Sequence, residues 1–158
     1  MQLLRHVPLF AGTDEQHLQV LAFSAGRETV RAGERLFAAG EILPAGFLVL
    51  KGEARARAEG DEEAALLLQP GDFVGEVSMI AGTAHHLTVE ALSDMEVLRI
   101  PRDLFLRVCG EFPEFGKKVM ANFAEHHMHL VRHDLQLLHE RLSRAPGVAE
   151  AVRKKDAS

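Results

Sequence analysis

Gly71-Asp72-Phe73-Val74-Gly75-Glu76-Val77-Ser78-Met79-Ile80-Ala81-Gly82-Thr83-Ala84-His85-His86-Leu87-Thr88-Val89-Glu90-Ala91 is the stretch on which the reading of this chain turns. Gly71 and Gly75 punctuate a turn, Glu76 to Ile80 offers one turn of helix, and Leu87-Thr88-Val89 is a β-prone return. Glycine lets backbone come close to a ligand. The free N–H groups at a helix start carry partial positive charge toward whatever lies there. In outline the stretch is an anion cradle.

On both sides of it, from Arg27 to about Pro101, short β-prone runs alternate with glycine turns. The runs are Thr29-Val30, Leu36-Phe37, Phe47 to Leu50, Ala54 to Ala58, Ala64 to Leu68, Phe73-Val74, Leu87 to Ala91 and Val97 to Ile100; the turns fall at Gly33, Gly40, Gly52, Gly60 and Pro70-Gly71. This spacing argues for an antiparallel sandwich or barrel-like roll. Upstream, residues 3–12 form an apolar lead-in, and Thr13 with Gln16 three residues on predicts a capping-box helix start. Leu18, Val20, Leu21 and Phe23 would supply its apolar face, and Gly26 would stop it. Downstream, Pro101-Arg102-Asp103 opens a helix with Leu104, Phe105 and Val108 as its stripe. After a break at Gly110 to Pro113, the run from Lys117 to Ala145 contains neither proline nor glycine and reads as one long helix. Ala121, Ala124, Met128, Val131, Leu135, Leu138 and Leu142 recur on it as a heptad seam, the pattern of a dimerising coiled coil.

The central stretch resembles the phosphate-binding cassette of the cyclic nucleotide-binding domain, the module of catabolite activator proteins and protein kinase A regulatory subunits. That cassette reads roughly F-G-E-L-A-L, a hydrophobic residue, a few turn residues, then P-R-A-A-T-V-x-A. Val74 to Ile80 and Ala84 to Ala91 align with it without a gap, and Gly40, Gly52, Gly71 and Gly75 match the family's glycines in register. The resemblance covers about residues 7–142. It implies an α+β, mainly β fold: an eight-stranded antiparallel β-roll, of the jelly-roll or double-stranded β-helix kind, with a short N-terminal helix and a long C-terminal helix. The domain would span residues 1–145, with a dimerisation helix at about 117–145 and a flexible tail at 146–158.

Under the same resemblance the ligand-binding set is Val74, Gly75, Glu76, Val77, Ser78, His85, His86 and Thr88, and the ligand is a cyclic nucleotide, cyclic AMP or cyclic GMP, or another anion. Glu76 would accept from a ribose 2′-hydroxyl. The family's phosphate-gripping arginine, however, falls on His85, the small residue after it on His86, and the proline before it on Ala84. Arginine is a permanently charged planar fork, whereas histidine offers at most one N–H toward a given oxygen and is partly charged at neutral pH. Phosphate affinity should then rise as pH falls through about 6.5. The alternative is a cassette that has kept its fold as a scaffold for dimerisation or protein interaction and binds no nucleotide.

Composition sets bounds on these readings. With 47% hydrophobic and 26% charged residues the 158-residue chain is globular in composition, not disordered. A net charge of −5 without a dense Lys/Arg cluster argues against a nucleic-acid partner. No apolar run is long enough to span a membrane, and the start MQLLRHVPLF lacks a signal-peptide pattern, so a cytoplasmic protein is expected. The single cysteine, Cys109, excludes an internal disulfide and reads as helix core. Only a short tail follows Leu142, too little for the helix-turn-helix domain found in the family's transcription factors. His126, His129 and His133 share a helical face and could gather a metal ion, yet such histidines usually form a solvated face. The β region has no H-x-H pair; the one present, His127-Met128-His129, falls in the long helix. With no G-x-S-x-G, P-loop or H-E-x-x-H either, the expectation is a regulatory binding module, not an enzyme. It would act as a homodimer, with a protein partner reading the long helix.

Overall fold

A computed structural model of the chain describes residues 2–58 and 61–126. The residues through Met120 form one compact unit, and those from Ala121 belong to a second. In the first unit two short helical segments, α1 (Gln2–Arg5) and a 3₁₀ turn (Pro8–Phe10), precede α2 (Glu15–Ser24). Eight strands follow: β1 (Gly26–Val30), β2 (Arg35–Phe37), β3 (Ala45–Lys51), β4 (Ala54–Ala58), β5 (Asp61–Leu68), β6 (Phe73–Val74), β7 (Leu87–Ala91) and β8 (Met95–Pro101). Helix α3 (Glu76–Ala81) interrupts them between β6 and β7, and α4 (Arg102–Glu111) closes the series. Residues 113–120 are helical; of the second unit, residues 121–126 are described, and they too are helical.

The strands form two antiparallel sheets, ordered β1-β8-β3-β6 and β2-β7-β4-β5. Period-two alternation explains the facing. On β4, Ala54 and Ala56 are buried while the alternate residues Arg55 and Arg57 reach solvent. The core lies between the sheets: Val30, Phe47, Val49, Met95 and Val97 come from the first, and Phe37, Ala54, Ala56, Leu68 and Val89 from the second. In β3 and β8 the alternate residues Leu48, Leu98 and Ile100 are buried as well, because α2, α3 and α4 contact these two strands. These strands therefore read as nearly continuous apolar runs, as strands covered on both faces do. Gly52 makes the β3–β4 turn at φ +84°, where a Cβ would lie 2.5 Å from the Asp94 carbonyl oxygen. The other family glycines, Gly40, Gly71 and Gly75, also have positive φ.

The eight β-prone runs are thus eight strands, but the helices depart from expectation. The cap of α2 is Asp14, whose carboxylate accepts from the Gln16 N–H at 2.8 Å. Thr13 does not complete a capping box: it lies one residue before the cap, and its hydroxyl donates to the Phe10 carbonyl at 2.7 Å. Leu18 and Leu21 form the buried face, whereas Val20 and Phe23 are 38% and 89% exposed. Helix geometry puts residues two apart on different faces, so a side chain adjacent to the stripe in sequence need not share it. Gly26 does not stop α2. It is the first residue of β1, and the helix closes by the Ala25 N–H donating to Leu21 O. Residues 3–12 are partly helical, α4 runs through Gly110 to Glu111, and the next helical run begins at 113, not 117, with Pro113 in its first turn, where a missing N–H costs nothing. Of the heptad seam, Ala121 and Ala124 are among the described residues. Gly60, Met128, Val131, Leu135, Leu138, Leu142, the histidines from His127 onward, the boundary at 145 and the tail lie outside them.

The corrected face of α2 gives a first prediction. Leu21→Ala should cost about 2–5 kcal/mol in urea unfolding, and Phe23→Ala should stay within about 0.5 kcal/mol. Equal losses would mean that Phe23 is covered after all.

Candidate functional site

The cassette becomes a site because three segments meet at one carbonyl. The loop before β3 presents Leu43 O, which accepts from the Ala45 N–H at 2.8 Å, the Ser78 hydroxyl of α3 at 3.0 Å and His85 Nε2 at 2.8 Å. A carbonyl cannot donate, so His85 carries its proton on Nε2, and its neutral ring keeps a lone pair on Nδ1. The ring also stacks on Phe37, with centroids 3.7 Å apart and planes 14° apart. The backbone is joined too: the His85 N–H donates to Glu41 O at 2.9 Å and the Gly40 N–H to His85 O at 2.8 Å. The loop over residues 38–43 is therefore fastened along the strand entry at 85–88.

Gly75 opens α3 at φ +82°, and a Cβ there would lie 2.8 Å from Ala45 O and 2.9 Å from His85 Cε1. Only glycine satisfies both the left-handed backbone and that close approach. Phe73 is held similarly: its ring lies where a Gly46 side chain would be, with 2.4 Å from an added Cβ to Cζ, and meets Phe10 edge-on at 5.7 Å. Between these groups is a cavity of about 180 Å³ lined by Phe37, Phe73, Val74, Gly75, Glu76, Val77, Ser78, Ala84, His85, His86 and Leu87.

Seven of the eight residues named from the sequence thus line one cavity. Thr88 is not brought to it, and its hydroxyl oxygen accepts from the Ala39 N–H at 2.9 Å. His86 lines the cavity as well but is exposed. Phe37, Phe73 and the Leu43 carbonyl went unrecognised. Phe37 is 48 residues before His85 in sequence, and nothing in its own neighbourhood marks it as a site residue.

His85 is 5% exposed. Burial pushes its pKa below the ordinary 6.5; the bond to Leu43 and the charge of Glu41 oppose this, and His86 adds to the lowering. The expected titration at about 6.5 is therefore displaced to more acid pH. Among the described residues lining the cavity there is one carboxylate, Glu76, and no lysine or arginine. Elsewhere, burial raises the Cys109 thiol pKa, and no three metal-ligating side chains come together among the described residues.

This is a β-roll with a glycine-opened helical cassette set over a cavity, the architecture of a small-molecule regulatory domain. The chain belongs to the cyclic nucleotide-binding domain family, whose family model matches residues 27–112, more than half of its length. An uncharacterised NTE family protein of Mycobacterium tuberculosis is 38% identical over 103 residues, 65% of this chain and 17% of that protein. The cAMP-dependent protein kinase regulatory subunit of Yarrowia lipolytica is 28% identical over 107 residues, 68% of this chain and 28% of that one. The crystal structure of the Thermus thermophilus catabolite activator protein matches with a TM-score of 0.70 at 27% identity, over 86% of this chain and 64% of that one. The chain spans well under a third of the length of these two curated relatives. Domains of the family are regulatory and not catalytic. Among the described residues no helix is long and apolar enough to cross a membrane.

The state of His85 gives a second prediction. Its folded pKa lies below the unfolded 6.5, so its contribution to stability is complete above 6.5 and is lost as pH falls through the folded value. Between about pH 7.5 and pH 5.5 the wild-type urea midpoint should fall more than that of His85→Gln. An equal fall in both would show that His85 is not the buried neutral group.

Proposed function

We propose that this chain is a regulatory ligand-binding domain of the cyclic nucleotide type. A small molecule in the cassette cavity would bias how the helical part after α4 packs, and a partner would read that change. The observation that carries this reading is the gathering of Val74, Gly75, Glu76, Val77, Ser78, His85 and His86 around one cavity. Cyclic AMP is the ligand suggested by the name of the kinase regulatory subunit, and cyclic GMP is the second candidate that the family resemblance offers. A cytoplasmic homodimer joined through the heptad seam fits the sequence pattern, and neither nucleic acid nor membrane is among the proposed partners.

One observation favours a second reading. The His85 ring is spent on Leu43 O and Phe37, so the cassette braces itself without a ligand, as a scaffold for dimerisation or protein interaction would.

Thermal unfolding with cyclic AMP, cyclic GMP, cyclic dinucleotides and phosphate, at about pH 5.5 and pH 7.5, separates the two. At about a hundred times its dissociation constant a ligand stabilises by about 2.7 kcal/mol, which is several degrees for a domain of this size. The expected result is a larger shift with cyclic nucleotide at the acid pH, where His85 gains charge. An equal shift at both pH values removes His85 as the phosphate's cation. No shift with any of them favours the scaffold.

A further inference from the structure

Two consecutive carbonyls fasten two different helices to the loop before β3. Leu43 O serves the cavity side, accepting from the Ser78 hydroxyl of α3 and from His85 Nε2. Pro44 O, the next along the chain, accepts at 2.9 Å from the N–H of Arg102, the first residue of α4. The proline ring fixes φ at Pro44 and favours extended backbone at Leu43 before it, so the two acceptors keep one relative orientation. Arg102 then closes the path with its side chain, whose Nε donates at 3.3 Å to Ile80 O in the last turn of α3. A carbonyl there has no partner inside its own helix, and a cation beside a helix C-terminus is favoured. The approach is close: Gly82 caps α3 at φ +73°, and a Cβ there would lie 3.2 Å from Arg102 Nε and 3.3 Å from its Cδ. A second route between the helices runs through side chains, since Ile80 faces Phe105, Leu106 and Cys109 of α4. These line a groove of about 480 Å³, so part of that boundary is space and not contact. Side chains bordering space can slide, whereas a hydrogen bond weakens steeply as its angle is lost.

We propose that Arg102 is the positioning residue that locks the cassette helix to α4, so that a shift of α3 on its Leu43 anchor displaces the first turns of α4. The proposal rests on the reading of the cavity as a site whose occupant biases helix packing, and it names the contact that carries the bias. Leu43, Ser78, Ile80, Arg102 and Pro44 act as one circuit.

The test uses no ligand, so its outcome is separate from whether the cavity binds one. In the ¹⁵N-labelled full chain, Ser78→Ala removes one donor from Leu43 O at the cavity end. Its effect is read on the amide signals of Val108, Cys109 and Gly110, about two turns beyond Arg102. The same change is then made in an Arg102→Met background, where an unbranched apolar stem remains and the donor is gone. Ser78→Ala should move these signals in the otherwise wild-type chain and move them by about half or less in Arg102→Met, the non-additivity of two coupled sites. Ile80→Val, which trims the packing but keeps the carbonyl, should leave the response intact. The amide spectra report the folding of each variant directly. Equal movement in both backgrounds, or none in the otherwise wild-type chain, overturns the proposal, and so does loss of the response in Ile80→Val.

Discussion

The Leu43 carbonyl joins three parts of this domain that are far apart in sequence. It accepts from its own strand entry at Ala45, from the cassette helix at Ser78 and from the cassette return at His85. These donors converge in a poorly hydrated place, so each is worth more than it would be in water and costly to leave unmade. The loop over residues 38–43, α3 and the start of β7 are therefore held as one body, and the cavity is the space this body leaves.

The same convergence determines the chemistry. A histidine at the cassette's cation position could have faced outward and titrated near its ordinary value. Here the ring is turned in, stacked on Phe37 and tied through Nε2, and burial favours its neutral form. A group that supplies structure in this way supplies little charge. Gly75, α3 and Glu76 stand around the cavity, and among the described residues lining it there is no lysine or arginine.

Most of the sheet architecture is legible in the sequence. The strand runs are broken by glycines that the turns require, and Gly40, Gly52, Gly71 and Gly75 all have the positive φ that marks such turns. Strand identity followed from period-two alternation in β4 and from continuous apolar runs in β3 and β8. The helices were less legible. Asp14 is the cap because the helix starts one residue later than a Thr13 cap requires, and Phe23 is exposed because the two-residue step from Leu21 leaves the buried stripe.

The sequence by itself determined the cassette, the family and seven of the cavity's residues, because glycine turns, strand periodicity and a contiguous motif are local signals. Tertiary structure decided which way His85 faces, what it touches and where its charge lies, and that Thr88 serves the Ala39 backbone instead of the cavity. Those outcomes depend on Phe37, Ala39 and Leu43, each more than forty residues from its partner along the chain. Burial and hydrogen bonding are properties of the packed environment, and no spacing along the chain encodes them.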